Sequence, residues 1–283
     1  MYTKLEYIAK NGETLDLFND KYFDLVNVDG LTSSNVTIAT ATTPTVDGDT
    51  VNNVQANPRA ITLDLHVKSD VDVEVCKRHI LNVVKIKQTA TLRYTQGTGT
   101  EQRIIEIAGV VQSIELPRFN NNCQMQISMY CSNSFWEDVN EIVVEISRII
   151  PKHHFPIAFP INNPIPLGVI DSDMRKSYVN DGDVETGLII TIIATGDVTN
   201  PVIYNENGDY IGVNDSLIAN DKIVINTNKG NKTITKNGVS IINKIKAGST
   251  FLQMATGDNI FTIDADAGES SMYFNITFKR RFV

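Results

Sequence analysis

Residues 60–67 read Ala-Ile-Thr-Leu-Asp-Leu-His-Val, with apolar side chains at every second position from Ile61 to Val67. Successive side chains of a strand point to opposite faces, so this period of two predicts a strand with one buried face. The same alternation recurs in residues 123–131 and 272–279. The chain is therefore predicted to be mainly β.

Three Asn-Gly pairs lie between strand-like runs, beginning at Asn11, Asn207 and Asn237. Asn and Gly tolerate the positive φ that tight hairpin turns require, so each pair predicts a hairpin. The glycines and threonines of residues 97–100 also lie between strand-like runs. A hairpin loop is expected there rather than a phosphate-binding loop, because no helix follows closely.

One helix is predicted over residues 70–87, where apolar residues recur at the three-and-four spacing of a helical face. Ser69 followed by Asp72 resembles a capping box, and Lys85 and Lys87 suit the negative end of the helix dipole. The helix is expected to lie on a sheet, and its other face could contact a neighbouring subunit. The residues of the predicted buried face are Val73, Cys76, Ile80, Val83 and Val84.

A domain boundary is predicted from proline content. Residues 151–167 hold five of the chain's nine prolines, which cannot donate hydrogen bonds to a β-ladder. This segment is interpreted as a connector between two domains. Residues 1–150 are expected to form a β-sandwich-type domain with one helix, and residues 168–283 an antiparallel β-sandwich.

Composition limits the possible functions. The 283 residues are 42% hydrophobic, enough to bury two cores, and the net charge of −8 disfavours general nucleic-acid binding. The basic residues are scattered, apart from residues 279–281. No apolar run is long enough to span a membrane, and the N-terminus lacks the apolar region of a signal peptide. The protein is expected to be made and assembled in a cytoplasm.

Residues that could carry chemistry do not form a recognisable site. Cys123 and Cys131 would lie roughly 26 Å apart on one strand, too far for a disulfide. The adjacent pair His153 and His154 lacks a metal-ligand spacing. The acidic segments 171–173 and 264–268 hint at calcium loops but suit turns better. We expect no metal, cofactor or catalytic residue, although a glycosidase-type carboxylate pair stays open among the many acidic residues.

Trp136 is the only tryptophan and follows Phe135 at the end of a predicted strand. An exposed tryptophan could stack on a sugar, whereas a buried one would anchor packing. The packing interpretation is favoured.

The order of segments in the N-terminal half resembles the siphophage tail family that includes distal tail (Dit) proteins. Three pieces carry this resemblance: the hairpin 8–17, the segment 57–65 that leads to the helix, and residues 131–138. In the last piece an aromatic pair follows a polar turn, and Ser134 occupies a position where the family often has proline.

The C-terminal half resembles the galectin-like β-sandwich of the same proteins, in residues 179–183, 199–205, 221–227 and 255–261. The residue grouping of sugar-binding galectins is missing there, and Trp136 lies outside this half. The resemblance therefore implies the fold but puts lectin activity in doubt.

The resemblance implies a non-enzymatic virion protein at the phage tail tip. Six subunits would form a ring, or two stacked rings, that joins the tail tube protein to tail-tip, baseplate and receptor-binding proteins. Such a ring needs a heterologous interface, whose residues the sequence leaves unknown. An acidic ring would also let DNA pass without trapping it.

Other functions remain open at this stage. A tail tube or upper baseplate component would be a related structural protein, although tube subunits are usually smaller. A carbohydrate-binding adhesin would bind glycans without forming a ring. A wall hydrolase would need a carboxylate pair or a metal site.

Overall fold

The computed structural model of the protein describes residues 4–32, 35–42, 47–99, 102–115, 123–145, 148–151, 168–171 and 175–283. Strands dominate these residues, which confirms the predicted fold class. The chain divides into two compact units. The first contains residues 1–139 together with 281–283, and the second contains residues 140–280.

The first unit consists of strands and one helix within its described part. In chain order they are β1 (Lys4–Ala9), β2 (Thr14–Asp16), β3 (Phe23–Asp29), β4 (Val36–Thr42), β5 (Asp49–Ala56), β6 (Arg59–Val67), α1 (Val73–Val83), β7 (Thr89–Gln96), β8 (Arg103–Glu115), β9 (Gln124–Cys131) and β10 (Trp136–Asp138).

Most of these strands belong to one antiparallel sheet in the order β2-β1-β7-β8-β9-β6-β3. The long strand β8 also pairs with β10, with Glu106 opposite Glu137. β8 therefore has three partner strands, β7, β9 and β10. The predicted alternation of residues 60–67 is confirmed, because Ile61, Leu63, Leu65 and Val67 are all buried. One face of the sheet thus supplies most of the core.

The helix α1 is shorter than the predicted span 70–87. It begins after Asp72, whose carboxylate accepts a hydrogen bond from the backbone N–H of Glu74 at 2.7 Å. The expected cap at Ser69 is therefore wrong. At the other end Val84 is extended and Lys87 has φ of 66°, although the ammonium of Lys85 does donate to the carbonyl of Leu81.

The predicted buried face of the helix is confirmed. Cys76, Ile80 and Val84 are buried, and Val73 and Val83 pack against the same core. This face anchors the helix to the sheet.

The second unit contains many short strands. They are β11 (Ile142–Glu145), β12 (Arg148–Pro151), β13 (Gly168–Asp171), β14 (Arg175–Asn180), β15 (Thr186–Gly187), β16 (Ile189–Ala194), β17 (Val198–Thr199), β18 (Val202–Asn205), β19 (Tyr210–Gly212), β20 (Ser216–Leu217), β21 (Lys222–Asn226), β22 (Thr233–Lys236), β23 (Val239–Ser240), β24 (Gln253–Met254), β25 (Gly257–Asp264) and β26 (Met272–Phe278), with 3-10 helices at Ile242–Lys244 and Glu269–Ser271.

Two of its sheets share one core, as in a β-sandwich. The six-stranded sheet has the order β11-β26-β16-β21-β22-β23, and the four-stranded sheet has the order β14-β25-β18-β19. Ile192 and Phe274 from the first sheet and Ile203 and Phe261 from the second belong to one buried cluster. The predicted antiparallel sandwich is thus confirmed.

The chain returns to the first unit at its end. The last strand, β27 (Arg281–Phe282), pairs with β10, and Phe282 is buried beside Trp136. This return was not predicted from the sequence.

The division between the units also differs from the predicted boundaries at 150 and 168. Strand β11 already belongs to the second unit, because it pairs with β26 along its whole length. Residues 152–167 of the predicted connector lie outside the described residues, and the strands that flank them, β12 and β13, pair with each other.

The three Asn-Gly pairs lie in hairpins, as predicted. They connect β1 to β2, β18 to β19, and β22 to β23, and the glycine of each pair has a positive φ. Strands β7 and β8, which flank the Gly97–Gly99 segment, pair antiparallel from Gln96 with Arg103, and this pairing confirms the predicted hairpin. None of the described helices has the length and apolar character needed to cross a lipid bilayer.

Candidate assembly surface

Strands β4 and β5 form a two-stranded ribbon that connects β3 to β6, and we call this ribbon the arm. Within the described residues its strands pair only with each other. Every described side chain of the two strands is exposed except Ala56, which is half-buried. At about 3.4 Å per residue, seven residues extend the arm about 24 Å.

The register of the arm places its apolar side chains on one face. Cross-strand partners point to the same side of a ribbon, and Val36 pairs with Ala56 while Ile38 pairs with Val54. A β-bulge between Ala39 and Thr40 shifts the register. The result is a continuous apolar face on this ribbon.

The bulge is responsible for the position of Val51. It pairs Thr40 with Val51 instead of Asn52, and thereby turns Val51 toward the side of Ile38. Val36, Ile38, Val51 and Val54 are each between 52% and 57% exposed. We call these four side chains the apolar face of the arm.

The arm lacks the features that usually protect an exposed ribbon. Edge strands commonly carry lysines that prevent pairing with other chains. Asp49, which accepts a hydrogen bond from Thr42, is the only charged residue in β4 and β5. An isolated two-stranded hairpin is also marginally stable in water. Both facts favour a covered arm.

A second pair of exposed apolar side chains lies on the sheet of the first unit. Val110 on β8 and Tyr130 on β9 are direct cross-strand partners, with 37% and 47% exposure. They lie on the opposite face of the sheet from the buried Met129 and Val111. The unit therefore carries two different apolar patches.

Residues considered for chemistry have structural contacts instead. Trp136 is buried and its indole N–H donates to the carbonyl of Leu31 at 3.0 Å, which confirms the packing interpretation. In the basic run 279–281, Arg280 contacts Asp181 at 2.9 Å and Arg281 contacts Glu137 at 3.1 Å.

The acidic segment 264–268 forms a turn. Asp264 accepts a hydrogen bond from the N–H of Ala265, Asp266 accepts one from Asn200, and Gly268 has φ of 83°. The pKa of Glu269 is raised, because protonated Glu269 can donate a hydrogen bond to the nearby carboxylate of Asp264. These contacts agree with the predicted turn.

The remaining metal-site candidates are only partly described. His153, His154 and Ser172 to Asp173 lie outside the described residues. Among the described histidines, His79 has its Nε2 3.0 Å from Asp20 and its ring against Tyr22. In the part of the chain that the structure describes, no group of three His, Cys, Asp or Glu side chains is placed to hold a metal ion.

Each of the three cysteines is described, and none belongs to a disulfide. Burial raises the pKa of both the Cys76 and the Cys131 thiols to about 11. These two thiols therefore stay protonated at neutral pH and behave as core side chains.

Sequence reasoning missed the arm. Residues 36–42 and 49–56 do alternate β-branched with small or polar residues, but alternation does not reveal that a strand is exposed on both faces. The absence of lysine and arginine from both segments was the available signal.

Comparison with known proteins finds similarity to phage tail proteins. The family described as siphovirus-type tail component, C-terminal domain, matches residues 181–282. This match covers nearly all of the segments that carried the C-terminal resemblance, and it confirms the predicted likeness. No curated protein matches the chain.

Among solved structures, the chain is similar to the Dit protein of phage SPP1, described as a paradigm of the hub adsorption apparatus in phages that infect Gram-positive bacteria. The two are 12% identical, the match covers 100% of both chains, and the TM-score is 0.67. The baseplate of phage P2 in its activated conformation also matches, with 12% identity, 100% coverage of both chains and a TM-score of 0.48. The likeness to the SPP1 protein concerns the fold.

Proposed function

We propose that this chain is a structural subunit of a distal tail hub, which assembles into a six-subunit ring at the tip of a siphophage tail. The family match over residues 181–282 supports a distal tail or baseplate protein. The shared fold over the whole chain agrees with it. The exposed arm is the observation that supports assembly of the subunits into a ring.

The apolar face of the arm suits a contact with a second copy of this chain. Closed rings with more than two subunits need two different patches on each subunit. The arm supplies one patch, and Val110 with Tyr130 offers another on the same unit. Burial of the exposed halves of these four Val and Ile side chains would contribute about 4 kcal/mol to the free energy of each contact between subunits.

The partners follow from the position of such a ring. The first unit would continue the tail tube, and the second unit would hold baseplate, tail-tip or receptor-binding proteins. The subunit would be made in the host cytoplasm and reside in the virion tail, as one ring or two stacked rings. The net charge of −8 favours a channel wall that does not retain DNA.

The function of the ring would be mechanical rather than catalytic. Trp136 and Arg281, which the sequence singled out, serve packing and strand pairing in the first unit. Such contacts suit a scaffold.

The arm allows a direct test with a matched control. The cross-strand pair Ile38 and Val54 would be replaced by Asp on the apolar face, and the adjacent pair Ala39 and Asn53 by Asp on the other face. Both changes introduce the same repulsion across the ribbon. Sedimentation velocity would measure the assembled fraction of each variant.

We expect Ile38→Asp/Val54→Asp to stay monomeric and to melt at the same temperature as wild-type monomer, because the arm contributes nothing to either core. Ala39→Asp/Asn53→Asp should assemble like the wild type. Equal assembly of both variants would show that the apolar face of the arm is not the subunit contact.

A further inference from the structure

Arg59 lies where the arm rejoins the sheet, and its side chain is almost completely buried, with 3% of the residue exposed. Its Nη1 donates to the carbonyls of Gly30 at 3.1 Å and Leu31 at 2.8 Å. Its Nε donates to the carbonyl of Ser134 at 3.0 Å. One guanidinium therefore joins the chain before the arm to the turn after β9.

The same turn holds both ends of the arm by two further bonds. The hydroxyl of Ser134 donates to the carbonyl of Asn57 at 2.6 Å, directly after β5. The indole N–H of Trp136 donates to the carbonyl of Leu31, in the segment between β3 and the arm. We call Arg59, Ser134 and Trp136 the arm mount.

Stability alone does not explain an arginine at this position. Burial lowers the pKa of Arg59, and among the described residues its Nη2 has no hydrogen-bond partner. Its hydrogen-bond acceptors in the described part of the chain are neutral backbone carbonyls, so none of them offsets the cost of removing the charge from water as a carboxylate would. An apolar side chain of similar volume would fill the space without that cost.

A guanidinium can fix the direction of the arm, whereas an apolar side chain cannot. Its planar group holds several N–H donors in a rigid fork, so its acceptors must keep fixed angles to one another. Here two acceptors lie between β3 and the arm, and the third lies in the turn between β9 and β10. The arm itself makes few other contacts that could set its angle.

We propose that Arg59 is a positioning residue that, with Ser134 and Trp136, fixes the direction in which the arm leaves the sheet. This inference rests on the proposed function, since a fixed arm presents its apolar face to the next subunit without an ordering cost at association. Loss of the mount should leave the arm formed but variable in direction.

The direction of the arm can be measured in the monomer. Spin labels at Asn11→Cys and Ala41→Cys would report the distance from the sheet to the arm, in a Cys123→Ser background at low protein concentration. Labels at Asn11→Cys and His66→Cys would report two sheet positions as a control. We expect a narrow arm distance in the wild type and a broad one in Arg59→Met, with an unchanged control distance.

The same variants test the consequence for assembly. Arg59→Met should need a protein concentration at least about tenfold higher for half-assembly, because ordering the arm then opposes association. Ile80→Val removes a methylene from the core beneath α1 and serves as the stability control. It should assemble like the wild type even where its melting temperature falls.

Milder variants cover the case in which Arg59→Met does not fold. Arg59→Lys keeps the charge without the fork, and Trp136→Phe removes the indole N–H while keeping a ring. Both should broaden the arm distance to a smaller degree. Narrow arm distances in all three variants would overturn the inference, whereas a wild type that never assembles would contradict the proposed function instead.

Discussion

At the scale of single residues, Gly30 shows why the turn into the arm needs glycine. Its φ is +78°, and a Cβ at this position would lie 2.1 Å from the carbonyl oxygen of Ala60. The positive φ is strained for other residues, and the contact forces the strands apart. Gly30→Ala should therefore destabilise the first unit by about 2 kcal/mol or more.

Chemical denaturation would measure this effect, with Gly12→Ala as the matched control. Gly12 also has a positive φ, of +87°, but a Cβ there meets nothing within 4 Å. Its substitution should cost about 1 kcal/mol from backbone strain alone. Equal losses in both variants would contradict the role of the close approach to Ala60.

Asp221 gives a pH-dependent prediction in the second unit. A hydrogen bond from the N–H of Ile218, with further bonds from Asn237 and Lys236, lowers the pKa of Asp221 to about 2. A lowered pKa means that the charged form stabilises the fold above the ordinary pKa near 3.8, and that this contribution is lost as the pH falls toward 2.

The melting temperature of Asp221→Asn should thus be a few degrees below the wild type at neutral pH, and the two should converge near pH 2. The exposed Asp258→Asn serves as control and should follow the wild type throughout. A difference between Asp221→Asn and the wild type that stays constant from neutral to acidic pH would refute the assignment.

The burial of large apolar side chains could be predicted residue by residue, whereas the burial of polar side chains could not. Trp136 was expected to be a packing anchor and is one. Arg59 was read only as part of a motif, because a long charged side chain is usually exposed. Its burial depends on carbonyls contributed by residues 30, 31 and 134, which only the folded chain brings together.

At the scale of elements, periodicity predicted where strands and helix lie but not their ends. The residues that pack α1 against the sheet were identified correctly, whereas its N-cap is Asp72 and not Ser69. The polar residues at positions 69, 70 and 72 can each cap a helix, so sequence alone does not choose among them.

The last strand, β27, gives the prediction at this scale. Phe282 is 2% exposed, and the guanidinium of Arg103 lies 4.3 Å from the centre of its ring. Loss of a buried aromatic ring leaves a cavity and typically costs 3–5 kcal/mol, so Phe282→Ala should destabilise the first unit by about 3 kcal/mol.

Thermal unfolding followed by Trp136 fluorescence would report this change, since the indole lies beside Phe282 in the sheet. Val283→Ala, at the half-exposed last residue, is the matched control and should have little effect. A first unit that melts normally without the Phe282 ring would show that β27 is not part of its core.

At the scale of the whole molecule, the chain enters the second unit at Asn140 and returns to the first unit at Arg281. Composition indicated two domains but not this return. The returning segment, residues 281–283, is too short to show any periodicity in its sequence. The arm was missed for a related reason, since its exposure depends on what surrounds it. The resemblance to tail proteins supplied the order of segments but not the contacts between subunits.

Whether this subunit closes a ring by itself is decided by the mass of the full chain in solution. Light scattering, with negative-stain images of the same fraction, should give about 188 kDa for six copies of 31.4 kDa, or twice that for two stacked rings. The images should show a central hole. A protein that stays at 31.4 kDa at every concentration would contradict the claim that this subunit closes its own ring.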